Sequence, residues 1–442
     1  DYVQNKKIDS ILLDGIFGGI KYEGSFTSDL IYEAKRNELL ILDRGNFRLV
    51  RYSLDNKKII ASIATGRQPF GLAISPDQKT VLVANVGMYA YPIVEGTTKE
   101  NIQSQYINWH PYGNNTKESI NGTVIDGKKI PGLGDPNADE SMSVYVIDLV
   151  NNKVKSKLKT GLKLGELVED AEVIGGASPN SIVINNQFAY VTNATNDNIA
   201  VIDYKKGKIV SHIPIKVDNK IDKYRGLLPF GIDISKDNKY LFVALLGFNA
   251  VAKIEIATKK TIGLIPTGWG TTRVKLSKDN QNLYITSCRG FGAGPNGGKG
   301  YKMTVQGSYI GDIQLGTFQT VPNPDANILA KYTKQAIDNT YITKEYEDNT
   351  PLPVYPGSKS SPIKHVVFIT KENRTFDEVF GQMKNVNGDS TLARFGLGVS
   401  AYSKDQFVKN INVTPNHHKI AKQFSLSDNF YCDSDASIHG HH

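Results

Sequence analysis

A unit of four short, β-branched runs recurs along most of this chain, and that recurrence limits what the chain can fold into. One copy reads Pro229-Phe230-Gly231-Ile232-Asp233-Ile234-Ser235, then Tyr240-Leu241-Phe242-Val243-Ala244, Val251-Ala252-Lys253-Ile254 and Thr261-Ile262-Gly263-Leu264-Ile265. A second opens Pro69-Phe70-Gly71-Leu72-Ala73-Ile74-Ser75, continues Val81-Leu82-Val83-Ala84-Asn85 and resumes at Val144-Tyr145-Val146-Ile147-Asp148. A third carries Pro179-Asn180-Ser181-Ile182-Val183-Ile184, Tyr190-Val191-Thr192-Asn193 and Ile199-Ala200-Val201-Ile202-Asp203. A fourth starts at Thr271 and continues Leu283-Tyr284-Ile285-Thr286, and Leu39–Asp43 with Leu49–Tyr52 is an earlier, degenerate copy. The runs are too short for helices, lack helical periodicity and are bounded by turn residues such as Ser-Pro-Asp and Lys-Asp-Asn. Four strands in a period of about 40 to 50 residues is the pattern of a β-propeller blade. A blade cannot bury both faces alone, so several must stack around an axis. Residues 1–24 and 301–356 leave room beyond the five legible copies. The sequence therefore predicts a mainly β chain, with a propeller of seven blades over residues 1–345.

Two insertions interrupt the repeat. One, near residues 87–140, is rich in Asn, Gly, Tyr and Lys, carries His110 and falls between the second and third strands of its blade. The other, near residues 289–307, reads RGFGAGPNGGKG. Gly-rich segments can cradle phosphate on backbone N–H groups, but this one matches no phosphate-loop or dinucleotide spacing and opens no helix. It is read as a long inter-strand loop. Beyond the β pattern, Asp325–Thr340 is helix-compatible, with Ile328, Leu329, Tyr332 and Ile337 on one side. Residues 346–362, rich in Pro, Ser, Gly and Lys, are a linker.

The chain has 442 residues and a formal net charge of +8. Its Lys and Arg are spread out, and no basic cluster interleaved with aromatics points to nucleic acid. No apolar run is long enough to span a bilayer. Cys288 and Cys432 lie far apart and are read as free thiols, which leaves no disulfide framework or thiolate zinc site.

From Ile363 the text changes. The apolar run Val366-Val367-Phe368-Ile369 is followed at once by Lys371-Glu372-Asn373-Arg374, and then by a helix start at Thr375-Phe376-Asp377-Glu378. A buried strand ending in a carboxylate and an amide just before a helix is how open α/β sheets present a site, at the carboxyl ends of strands. Glu372 and Asn373 offer hard oxygen ligands. Thr414 or Pro415 opens a second helix that carries His417 and His418, expected to be one packed and one exposed. Near the end, Ser437 has carboxylates and imidazoles as neighbours, a plausible setting for a nucleophile. A metal beside it would favour its alkoxide and polarise a phosphoryl oxygen.

At Tyr190-Val191-Thr192-Asn193 the repeats resemble the YVTN-type repeats of bacterial surface and periplasmic propellers. The stretches HVVFITKENRTFDEVFG, NGDSTLARFG, VTPNHHKIA, LSDNFY and SIHGH resemble the phosphoesterase branch of the alkaline phosphatase superfamily, which includes acid phosphatases and bacterial phospholipases C. Together they look like the bacterial fusion of such a propeller to such a domain. The resemblance implies an α/β phosphoesterase domain beginning at residue 363, and divalent metal ions (zinc, calcium or similar) bound in part by Glu372 and Asn373. It implies that Ser437 is the nucleophile, forming a covalent phosphoryl intermediate, and that His439 and His441 stand behind the metal or beside the phosphate by position. It also implies an exported protein, periplasmic or at the cell surface. In that superfamily further Asp and His ligands come from strands well downstream of the nucleophile. Residues 363–442 are therefore expected to be the N-terminal portion of a longer domain, inactive or nearly so by itself.

Two function classes follow. The first is a metal-dependent phosphoric-ester hydrolase, a phosphatase or a phosphodiesterase of phospholipase C type, acting on a phosphate-ester substrate. The second is a propeller that binds a ligand, a protein or a cell-envelope component, with a non-catalytic tail. A metal site on the propeller axis is not indicated, because no His or carboxylate recurs at one blade position.

Overall fold

The computed structural model describes residues 3–98, 100–113, 115–168, 171–218, 225–292, 315–340, 351–352, 361–402 and 404–430. The chain divides into two compact units, Asp1–Ile342 and Thr343–His442.

The first unit is a β-propeller. Its first blade consists of Thr27–Glu33, Glu38–Asp43, Arg48–Ser53 and Lys58–Ala64, and its second of Pro69–Ile74, Thr80–Asn85, Ser143–Asp148 and Lys153–Lys159. The third blade is Pro179–Ile184, Ala189–Asn193, Asn198–Asp203 and Lys208–Pro214. The fourth is Pro229–Ile234, Tyr240–Leu245, Ala250–Glu255 and Lys260–Pro266. Among the described residues the fifth has three strands, Trp269–Leu276, Asn282–Gly290 and Thr317–Pro322. In every blade each strand pairs antiparallel with the next in sequence. The first strands of successive blades lie side by side, which is how blades gather around an axis.

Stacking buries the blades. Leu40, Leu42 and Leu49 of the first blade pack on Val81, Val83, Tyr145 and Ile147 of the second. Leu82, Val144 and Val146, on the other face of the second, meet Val191, Ala200 and Ile202 of the third. Tyr190, Ile199 and Val201 meet Leu241, Val243 and Ile254 of the fourth, whose Phe242 and Val251 meet Val274, Leu283 and Ile285 of the fifth. Residues i and i+1 of a strand thus serve different interfaces, as the period-2 alternation of side chains requires. Each such burial contributes about 1.5–3 kcal/mol.

Five blades are present among the described residues, where the sequence predicts seven. The described residues of the stretches that left room for more are used otherwise. Gly15–Phe17 and Ile20–Tyr22 form a small hairpin. Thr317–Pro322 completes the fifth blade, and Ala326–Thr340 is a helix. That helix covers the last strand of the fourth blade: the Thr333 hydroxyl accepts from the Leu264 amide at 2.9 Å, and Leu329 and Ala336 are buried. A Cβ at Gly263 would meet Leu329 at 2.4 Å, so the close approach needs glycine there.

The insertion of the second blade leaves between paired strands, since Asn85 pairs with Ser143. Two cations hold it. Buried Arg67 donates to the Met88 carbonyl at 2.7 Å, the Asp135 carbonyl at 2.9 Å and the Glu140 carboxylate at 3.0 Å. Lys159 donates to the carbonyls of Pro136 and Ser141, at 2.9 and 3.0 Å.

In the second unit, the described residues form the helices Phe376–Phe380 and Pro415–Gln423 and the antiparallel pair Val399–Tyr402 with Phe407–Ile411.

Candidate functional site

Glu372 and Asn373 lie just before the helix Phe376–Phe380, where the sequence places them. That helix starts as its sequence dictates. The Thr375 hydroxyl accepts from the Glu378 amide and the Glu378 carboxylate accepts from the Thr375 amide at 3.1 Å, a reciprocal capping box. Arg394 pairs with Glu378 from outside.

The preceding strand is a correction. The sequence predicts Val366–Ile369 as a buried strand, but residues 361–372 form no strand. Val366, Val367, Phe368 and Ile369 are 82, 85, 87 and 76% exposed. A strand is a property of a pair, since its N–H and C=O groups need a neighbour's ladder. Among the described residues, no strand pairs with this run.

Lys371 and Glu372 line a cleft of about 280 Å³ with Arg374, Phe376, Phe395 and His417. Lys371 Nζ lies 3.1 Å from His417 Nε2. The Arg374 guanidinium lies over the Phe395 ring at 4.3 Å and donates to the Asn373 carbonyl at 2.8 Å. His418 is buried, its Nε2 2.6 Å from the Val379 carbonyl and its ring against Phe380. His417 is half-buried, so the expected packed histidine is found in His418 while the other is not fully exposed. The helix that carries them, Pro415–Gln423, has Thr414 before it and proline in its first turn.

The pairing of Lys371 with His417 was not legible in the sequence, because 46 positions separate them and neither belongs to a motif that names the other. Ser437, His439 and His441 lie outside the described residues, as does Cys432. Among the described residues no three His, Cys, Asp or Glu side chains gather as metal ligands. Glu372 and Asn373 carry side-chain oxygens of the kind hard divalent cations take.

Comparison with known proteins adds the following. No curated protein matches this chain. Solved structures with a similar course include hydrazine synthase of Kuenenia stuttgartiensis, at 16% identity over 70% of this chain and 67% of that one, with a TM-score of 0.40. A catalytically inactive virginiamycin B lyase from Staphylococcus aureus is 13% identical over 62% of this chain and 68% of that one, with a TM-score of 0.37. The Cps50 (Swd1) β-propeller domain of Myceliophteria thermophila is 12% identical over 61% of this chain and 64% of that one, with a TM-score of 0.38. The propeller itself is established by the strand pairing described above. The model of the Phosphoesterase family matches residues 363–442. The chain thus joins a β-propeller to a C-terminal segment that matches the Phosphoesterase family.

Proposed function

We propose that the protein is a metal-dependent phosphoric-ester hydrolase in which Ser437 is the nucleophile. The match of residues 363–442 to the Phosphoesterase family carries this reading and supports hydrolysis of phosphoric esters as the general activity. Glu372 and Asn373 would hold a divalent cation together with further ligands. When bound, such a cation polarises a phosphoryl oxygen and favours the serine alkoxide. Ser437 Oγ attacks phosphorus, the P–O bond to the alcohol breaks, and the alcohol leaves with a proton. Water then cleaves the Ser437–phosphate bond and restores the hydroxyl. His439 and His441 stand near that serine in sequence and are proposed to orient the phosphate or a metal ligand. The protein is proposed to work outside the cytoplasm, in the periplasm or at the cell surface, on the resemblance of its repeats to exported propellers.

The test is hydrolysis of p-nitrophenyl phosphate and bis(p-nitrophenyl) phosphate by the protein as its gene produces it. EDTA is expected to abolish turnover, and re-added Zn²⁺ or Ca²⁺ to restore it. Ser437→Ala is expected to lower turnover by a factor on the order of a thousand or more. Unchanged turnover in Ser437→Ala would overturn the assignment.

A further inference from the structure

The chain that leads into the propeller lies against the outer face of the first blade. Leu40, Leu42 and Leu49 of that blade serve the second, so the alternate residues Leu39, Ile41, Val50 and Tyr52 point the other way. Strand register makes these the counterparts of Val81, Val83, Tyr145 and Ile147 in the second blade. There, the sheet of the first blade covers those positions. In the first blade a single segment does so. Leu13 is buried against Ile41 and Val50, and Ile11, Leu39, Tyr52 and Ile59 pack beside it.

One segment is narrower than a four-stranded sheet, whose strands stand about 4.8 Å apart. What it leaves open is a hollow of about 360 Å³, walled by Ile11 and Leu13 of the segment and by Leu30, Leu39, Ile41 and Tyr52 of the blade. Leu30 is 58% exposed. A second hollow, of about 390 Å³, adjoins it over the last strand of the blade. It shares Ile11, Leu13, Tyr52 and Lys57 with the first and adds Lys58.

The charges bordering the two hollows are not balanced. Both carboxylates are already engaged. Asp14 accepts from the amides of Gly24 and Ser25, at 3.1 and 2.8 Å, and Asp9 from the amide of Ser10 at 2.7 Å. Lys57, which borders both hollows, and Lys58 have no ion-pair partner among the described residues. Apolar walls with a few polar groups to one side are the usual make-up of a small-molecule site, and such sites begin at about 300 Å³.

We propose that these adjoining hollows bind an unbranched aliphatic carboxylate, a fatty acid of medium chain length. Its chain lies between segment and blade, against Leu13, Leu30 and Ile41, and its carboxylate meets the ammonium of Lys57. The walls are aliphatic but for Tyr52, which suits a flexible chain better than a stack of rings. A methylene takes about the room of a water, roughly 30 Å³, so the apolar hollow holds a chain of roughly ten carbons. The charge-assisted hydrogen bond from Lys57 fixes which end of the ligand stays outside. This site shares no residue with the esterase reading and stands without it.

The experiment is calorimetric melting of the full chain with octanoate, beside butanoate and 1-octanol, each in monomeric solution. A ligand that binds the native state raises Tm. Octanoate is expected to raise it, butanoate far less because it withdraws fewer methylenes from water, and 1-octanol less because it carries no charge. Lys57 has φ of 49°, which asparagine tolerates. Lys57→Asn is expected to weaken octanoate by about tenfold, the loss of one hydrogen bond to a charged group, and to leave 1-octanol unchanged. Leu30→Gln, at an exposed side chain, is expected to weaken both. Should octanoate leave Tm unchanged, should 1-octanol match it, or should Lys57→Asn bind octanoate as before, the proposal is wrong. It is equally wrong if light scattering shows a dimer that Leu30→Gln dissolves and octanoate does not, since a second copy then covers the hollow. Sedimentation with phosphatidylglycerol vesicles, without any response to octanoate, would assign the face to a membrane instead.

Discussion

Lys159 ties the insertion of the second blade to its last strand through two carbonyl oxygens. Burial, with Arg67 nearby, lowers its pKa from the ordinary lysine value to about 8. Between that value and about 10.4, where an unfolded lysine titrates, the unfolded chain binds the proton and the folded chain does not. Stability contributed at this site therefore rises with pH across that window, and the cost of the buried charge is complete below it. Urea midpoints from pH 7 to 10 are expected to show the rise, and Lys159→Met to remove it. Arg48 is a second such residue. It is fully buried, donates to Asp43 at 2.8 Å and to the Leu13 carbonyl at 2.7 Å, and lies 3.5 Å from the Tyr22 ring centroid. Arg48→Met leaves the wholly buried Asp43 carboxylate without its cation, although Ser25, Phe26 and Asn46 still donate to it. The expected loss is about 3–5 kcal/mol in urea unfolding, and a change below about 1 kcal/mol would show that Asp43 is satisfied by its other donors. Neither role was legible in the sequence, where both cations look like ordinary strand and turn residues. What makes them special is the loop each one anchors, 18 to 35 positions away.

At the scale of elements, three first-to-second-strand turns share one device. The hydroxyls of Ser75 and Ser235 donate to Asp77 and Asp237 at 2.6 Å, and Ser277 does the same to Asp279. Each serine oxygen then accepts the amide that opens the next strand, at Thr80, Tyr240 and Asn282. These hydrogen bonds hold the three aspartates below the usual carboxylate range, the serine hydroxyl being the largest cause. A lowered folded pKa means that the stabilisation is present above about pH 3.9 and is lost as pH falls further. Ser235→Ala is expected to cost about 1 kcal/mol, read as a lower urea midpoint with unchanged m-value. The recurrence of Ser-x-Asp was visible as punctuation between apolar runs, and its chemistry is local enough to be read there. The run Val366–Ile369 shows the opposite case. Its composition says strand, but composition cannot provide the neighbouring ladder that a strand requires.

For the whole molecule, the apolar alternation of the recurring short runs already demanded stacked blades. The clusters that join them lie within residues 1–342. Residues 1–342 produced alone are expected to give the circular dichroism of antiparallel sheet and a cooperative melt. An unfolded product would mean that the β unit depends on the rest of the chain. The sequence by itself determined the repeat, its turns, the helix cap at Thr375, the helix start at Pro415, and the match of residues 363–442, because each rests on residues a few positions apart. Only the tertiary structure decided how many blades the described residues form, the exposure of Val366–Ile369, the meeting of Lys371 with His417, and the reach of Arg273 to Ser181. The physical reason is that each of these depends on which segments become neighbours. Neighbours are set by the summed burial of many blade faces, and no single stretch of sequence records that sum.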